Sequence, residues 1–138
     1  MQIPPNTVVA AGPFIIEDGK ILLCREIKYD GIESPFLMLP GGGVEITDED
    51  FEATCKREAK EELGIDLKII RPLQPLFKKR PDKDGFVILI HFLAQRVGEI
   101  KPGKQIVEWG WFDINNLPAN VTPSIAEVIQ SYLHEPKV

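Results

Sequence analysis

The residues best suited to chemistry lie in one stretch, Arg57-Glu58-Ala59-Lys60-Glu61-Glu62. If that stretch is helical, at ~100° per residue, Glu58 and Glu62 stand one above the other and Glu61 lies beside them. Phe51 and Cys55 fall in the same sector, so two carboxylates share the face that should pack on the rest of the fold. Like charges four residues apart repel by about a few tenths of a kcal/mol in water. Partly buried, they cost more unless paired or bound to a cation. Hard divalent ions take oxygen ligands, and Mg²⁺ is usually held by one or two carboxylates plus phosphate oxygens. The spacing therefore makes sense as a Mg²⁺ platform. An exposed, glutamate-rich helix is the plainer alternative, and it is the reading kept for Glu52 and Lys60.

Ahead of the helix, Gly41, Gly42 and Gly43 let the backbone turn tightly and approach a ligand closely. No Gly-Lys-Ser/Thr ending follows, so this is not a P-loop. Arg57 and Glu49 could pair, tying the start of the helix to its middle, or could be an ordinary surface pair. Residues 45–62 are strongly acidic within a chain of net charge −5. A polyanionic substrate could approach them only with a bridging cation. The same balance argues against a nucleic-acid binder, which would show a basic face.

The elements that must position these groups can be read from pattern. Residues 8–16 are β-rich and interrupted at Gly12-Pro13, and Asp18-Gly19 supplies a hairpin turn before a second strand at 21–24. Residues 26–35 read as loop and 36–39 as a short strand. Thr47 or Asp48 can cap the acidic helix, which runs to about Leu63 and stops at Gly64. Residues 67–70 and 73–77 read as strands, 81–85 as a turn, and 109–113 as a further strand. Residues 86–94 are apolar at nearly every position and should form a central strand. The last helix has Thr122 as cap and Pro123 at its first position, with Ile125, Val128, Ile129, Tyr132 and Leu133 on one face. This order predicts an α+β fold, an α/β/α sandwich with a mixed sheet between helices, as one domain over residues 1–138. No apolar run reaches the ~20 residues of a membrane span. The first residues lack a signal-peptide pattern, so a cytoplasmic protein without membrane or nucleic-acid partners is expected. Cys24 and Cys55 read as buried thiols.

Glycine, five residues, Glu, seven residues, Arg-Glu-apolar-any-Glu-Glu-any-Gly-apolar runs from Gly43 to Ile65 without a mismatch. This pattern resembles the signature of the Nudix hydrolase family. The Leu39-Pro40-Gly41-Gly42 lead-in and the Trp111-Phe112-Asp113 and Leu117-Pro118 tail are similar to it as well. Counted from Gly42, the loop is one residue longer than in most members. The resemblance implies a loop-helix-loop that binds Mg²⁺ or Mn²⁺. It makes Glu58, Glu61 and Glu62 carboxylate ligands, one of them serving as base. A carbonyl near Gly41 or Gly42 would complete the shell, and Glu49 with Arg57 would be the orienting pair. The implied activity is hydrolysis of a diphosphate bond in a nucleotide-type small molecule: a nucleoside triphosphate, ADP-ribose, a nucleotide sugar or a dinucleoside polyphosphate. Similar proteins often dimerise.

Outside the box, Glu108 is a candidate further acid and metal ligand, the alternative being a strand-edge charge. Arg25, Gly42, Gly43 and Trp109 are candidate substrate contacts. Trp109 and Trp111 share one side of a strand, where one could stack on a base or both could be core. Lys78, Lys79 and Arg80 could meet phosphates or be a solvated loop. Pro81 lies where relatives acting on ADP-ribose tend to carry proline. His91 reads as structural. A non-catalytic nucleotide sensor would usually lack box glutamates, which are all present. An isomerase acting on isoprenoid diphosphates would need cysteine and histidine motifs that are absent.

Overall fold

The computed structural model describes residues 2–28, 30–80 and 84–134. Strands β1 (Thr7–Glu17) and β2 (Lys20–Glu26) form a hairpin across Asp18 and Gly19, with φ of 52° and 75°. Paired positive φ values of this kind fit the twist of the flanking strands. The chain continues as β3 (Gly42–Gly43), α1 (Phe51–Leu63), β4 (Asp66–Pro72), β5 (Leu76–Lys79), β6 (Phe86–Val97), β7 (Ile106–Asp113) and α2 (Ser124–Leu133). The strand order is β4-β6-β1-β2-β7, with β3 added to β1 and β5 to β6. Strands β1 and β6 run parallel, from Thr7 opposite Phe86 to Ile15 opposite Ala94, and the other pairings are antiparallel.

Alternation along the strands sorts the core into two layers. Ile15, Leu22 and Ala94 pack with Cys55, Ala59 and Leu63 of α1. Phe14, Ile21 and Leu23 pack with Ile125, Val128 and Ile129 of α2. The mixed sheet thus lies between the two helices, the α+β sandwich expected. No helix among the described residues is long and apolar enough to cross a membrane.

Several boundaries differ from expectation. Asp50, not Thr47 or Asp48, caps α1, its carboxylate accepting from the Ala53 N–H at 2.7 Å. Gly64 closes the helix at φ 66°, as expected. Phe51 is exposed rather than packed on the sheet. A first-turn side chain leans toward the helix N-terminus, away from the packed middle. Strand β1 runs unbroken through Gly12-Pro13. Residues 36–39 form no ladder, only single bridges from Met38 to Cys24 and from Leu37 to Val121. Helix α2 has no side-chain cap, and the Thr122 backbone N–H is committed to the Leu37 carbonyl at 3.0 Å. The turn expected over 81–85 includes Pro81, which lies outside the described residues.

One departure from a regular sheet positions the site. Strands β1 and β2 part beyond their hairpin, and residues 38–43 fill the gap. Met38 exchanges both backbone bonds with Cys24, at 2.9 and 2.8 Å, while Gly42 and Gly43 pair with Ala11 and Ala10. Only glycines permit so close an approach. A Cβ on Gly12 would lie 1.9 Å from the Pro40 carbonyl oxygen, and Gly41 adopts φ 146° with no room for one.

Candidate active site

Arg57 organises the loop that leads into α1. Its Nε and Nη2 bind the two Asp48 carboxylate oxygens at 2.9 and 3.0 Å. Nη2 also reaches the Gly43 carbonyl at 2.9 Å, and Nη1 holds Glu58 Oε1 at 2.9 Å. Asp48 further accepts from the Glu45 N–H and the Thr54 hydroxyl. The Arg57 guanidinium, with these donors, holds the Asp48 carboxyl far below the usual carboxylate range. The partner expected for Arg57 was Glu49, and this is corrected: Glu49 is exposed and Asp48 takes the bidentate position. The cause is the turn ahead of the helix. Counted from Gly42, five residues separate the glycine from Asp48, and the turn from Glu45 to Asp48 folds that carboxylate onto the helix. Asp48→Ala is therefore expected to slow turnover by about a hundredfold, the scale of a misplaced catalytic group. Glu49→Ala should cost far less. Steady-state rates of the two variants check this, and the reverse ranking contradicts it.

Glu62 is 7% exposed on the buried face of α1, and its Oε1 accepts from the Gly41 N–H at 2.9 Å. Glu26, at the end of β2, meets it: Cys24 Sγ and carboxylate oxygens of Glu26 and Glu62 all lie within 4.8 Å of one another. Burial, then the Glu26 carboxyl alongside, pushes the Glu62 carboxyl well above the ordinary range. Glu58 lies directly under Gly42, where a Cβ would come within 2.5 Å of its Oε1. Burial raises its pKa as well, against the pull of Arg57. Buried Glu62 beside the half-buried Glu58 and Glu26, with a glycine backbone above, offers the oxygen ligands a hard divalent cation takes. The residues present fit Mg²⁺ or Mn²⁺. Buried carboxyls otherwise stay protonated to escape the cost of charge.

The expected triad is thus split. Glu58 and Glu61 converge on Arg57, Glu61 being exposed and 3.4 Å from Nη1, while Glu62 joins Glu26. The acid from outside the box that reaches Glu62 is Glu26, not Glu108. Arg25 and Glu108 are cross-strand partners bonded to each other at 2.8 Å, and Arg25 also binds Glu33. They alternate with Cys24 and Trp109, so they project from the opposite face of the β2–β7 ladder. The expected roles of Glu108 as ligand and Arg25 as substrate contact are corrected on that ground. Trp109, opposite Cys24 and partly exposed, shares the face of the carboxylates. Trp111 beyond it packs on the core under Arg96. Gly43 contributes its carbonyl to Arg57 and has open space around its Cα. Both cysteines are buried, as expected, and burial pushes the Cys55 thiol up to about 12.

On the α2 side of the glycine segment lies a cavity of about 640 Å³. Gly41 and Gly42 form part of its wall, so one ridge separates it from Glu58 and Glu62. Val87, Leu89 and His91 of β6 line it, and at its rim Lys78 pairs with Glu127. His91 is 7% exposed, and burial lowers its pKa to about 4. Its folded pKa lies below the unfolded value, so the folded state binds fewer protons between the two. The associated stability is present above about pH 6.5 and is lost as pH falls toward 4, by roughly 3 kcal/mol at most. Urea unfolding at pH 7 and 4.5 should show a smaller acid loss in His91→Gln than in wild type, and equal losses would contradict the assignment.

A mixed sheet between helices, with a glycine ridge over buried helix carboxylates, defines the class of protein. Residues 6–132 match the family model described as NUDIX domain, and the chain belongs to that family. It is similar to the ADP-ribose pyrophosphatase of Methanocaldococcus jannaschii, 40% identical over 116 residues, or 82% of this chain. That match spans 66% of the relative's own length, just under two thirds. A MutT NUDIX hydrolase from Burkholderia pseudomallei superposes with a TM-score of 0.79 at 26% identity, over 91% of this chain and 98% of that one. An ADP-ribose pyrophosphatase from Streptococcus suis 89-1591 gives a TM-score of 0.68 at 26% identity, over 94% of both chains.

Proposed function

We propose that this protein is a divalent-metal-dependent hydrolase that cleaves the diphosphate bond of a nucleoside diphosphate derivative, with ADP-ribose as the first candidate. The observation that carries the reading is buried Glu62 paired with half-buried Glu26 beneath the glycine ridge, one wall away from a nucleoside-sized cavity. The relatives named ADP-ribose pyrophosphatase favour ADP-ribose over a nucleoside triphosphate.

Glu26, Glu58 and Glu62, with the backbone at Gly41 or Gly42, would hold Mg²⁺ or Mn²⁺. When bound there, the cation supplies charge neutralisation for the diphosphate and acidifies a water. Glu58 has Oε1 committed to Arg57 and would give Oε2 to the cation, so the exposed Glu61 beside it is left to take a proton from the attacking water. The Gly41 N–H orients Glu62, and Asp48 with Arg57 fixes both the loop and Glu58. The water oxygen forms a bond to one phosphorus, the bridging P–O bond breaks, and the leaving phosphate takes its electron pair. The products are a nucleoside monophosphate and the phosphorylated remainder. Glu61 and Trp109 stand at the exposed margin, placed to meet substrate as it enters.

The test is incubation with Mg²⁺ or with EDTA against ADP-ribose, nucleoside triphosphates, nucleotide sugars and dinucleoside polyphosphates, products identified by mass. Metal-dependent release of AMP from ADP-ribose at the highest kcat/KM is expected. Tight binding without turnover of any compound would contradict hydrolysis and favour a sensor.

A further inference from the structure

The two acids that meet beneath the glycine ridge come from elements that do not pair. Glu62 lies near the end of α1, and Glu26 ends β2, whose strand partners are β1 and β7. The segment between β6 and β7 spans them. Its Lys101 and Gly103 N–H groups donate to the Leu63 and Glu62 carbonyls at 2.7 and 2.8 Å, satisfying helix-end oxygens that have no partner within the helix. Its Gln105 carbonyl accepts from the Ile27 N–H at 2.8 Å. Between these anchors the chain makes one tight turn, closed from the Ile106 N–H to the Gly103 carbonyl at 3.1 Å. Ile106 then stands opposite Glu26, across a shift of register that skips Val107. Irregularities of this kind recur beside active sites, where they re-aim side chains. One turn thus grips the backbone of Glu62 at one end and the backbone beside Glu26 at the other.

We propose that Gly103 is a positioning residue, the foot of a brace over residues 103–106 that sets the separation of Glu26 and Glu62 and so the size of cation they hold. The inference rests on the metal-dependent reading above and names the part of the chain that tunes the ion. Gly103 sits so close to α1 that a Cβ there would lie 2.6 Å from the Glu61 carbonyl oxygen. Its backbone is not left-handed, so the approach to the helix is what this position requires of glycine. The obstacle is backbone, and a methyl group is relieved only by moving the turn off the helix. Gln105 and Ile106 move with it, and Glu26 follows Ile106 across the ladder. Mg²⁺ demands oxygens at about 2.0–2.1 Å in strict geometry, whereas Ca²⁺ accepts about 2.3–2.6 Å in a flexible one. A widened pair therefore loses the small ion before the large one.

The test is titration of Mn²⁺ by electron paramagnetic resonance into wild type, Gly103→Ala, Lys104→Ala and Glu26→Gln, with Mg²⁺ and Ca²⁺ measured by competition against Mn²⁺. Gly103→Ala is expected to raise Kd for Mn²⁺ by about tenfold to a hundredfold, the scale for residues that support a ligand without touching the ion. Kd for Mg²⁺ should rise more than Kd for Ca²⁺, a change of preference that lost stability alone does not produce. Lys104→Ala removes an exposed side chain from the same turn and should bind all three ions like wild type. Wild-type affinity in Gly103→Ala, the same loss in Lys104→Ala, or equal weakening of Mg²⁺ and Ca²⁺ overturns the proposal. Should Gly103→Ala fold poorly, amide hydrogen exchange of wild type decides it. Mg²⁺ should slow exchange at Gly103 and Ile27 more than in the β1–β2 hairpin, because an ion on the pair stabilises the brace. Uniform slowing, or none, overturns the inference. Glu26→Gln separates the two readings. Wild-type Mn²⁺ affinity in that variant would sink the assignment of the ion to this pair, and weakened affinity there with none lost in Gly103→Ala would sink the brace alone.

Discussion

Glu62→Gln is expected to lower kcat by about a thousandfold or more while leaving the metal-free protein as stable as wild type. The two halves of this expectation come from one observation. Glu62 is buried beside Glu26, and burial with that neighbour favours its neutral, protonated form when no cation is present. Glutamine has nearly the same shape and is neutral, and its side-chain oxygen can still accept from the Gly41 N–H. The fold therefore loses almost nothing. Catalysis loses an anionic oxygen at the place where a cation would bind, and removal of a group central to the proton and charge chemistry typically costs 10²–10⁴ in rate. Thermal unfolding in EDTA, beside steady-state rates in Mg²⁺, checks both halves. A variant that is active, or one that is inactive because it is unfolded, contradicts the assignment.

Gly12→Ala should have the largest effect on stability, a loss of about 3 kcal/mol or more. The added methyl would sit 1.9 Å from the Pro40 carbonyl oxygen and 2.8 Å from Gly41 Cα. Both obstacles are backbone, so no rotamer change relieves them, and overpacking of this kind costs about 1–3 kcal/mol or more. Relief requires the ridge to move off β1, which carries Gly41 away from Glu62 and should also cost activity. Gly43→Ala is the control, because a Cβ there meets nothing within 4 Å. Urea midpoints of the two variants check this, and similar losses would show that the ridge is not held as described.

The helix, its Gly64 cap and its stacked Glu58 and Glu62 were legible in the sequence because helical spacing and a left-handed glycine are local features. The two-layer core was legible for the same reason. Three parts of the site were not. Glu26 reads as the start of a polar loop, and only the pairing of β2 with its neighbours brings it to Glu62. Asp48 and Glu49 are adjacent acids, and the turn from Glu45 to Asp48 decided which of them Arg57 takes. Arg25 and Glu108 are each plausible site residues in isolation, but cross-strand register turned them toward each other on the far face. The cavity behind the glycine ridge depends on where β1 and β2 part, and no local pattern marks that point.

In the proposed function, the carboxylates under the glycine ridge hold the divalent ion on which hydrolysis depends. Counting bound Mn²⁺ by electron paramagnetic resonance in wild type, Glu58→Gln and Glu62→Gln tests it most directly. Saturable binding to the wild type that is weakened in both variants, in step with loss of turnover, is the expected result. Mn²⁺ binding that both variants keep at wild-type affinity would contradict the account, because the ion would then sit elsewhere.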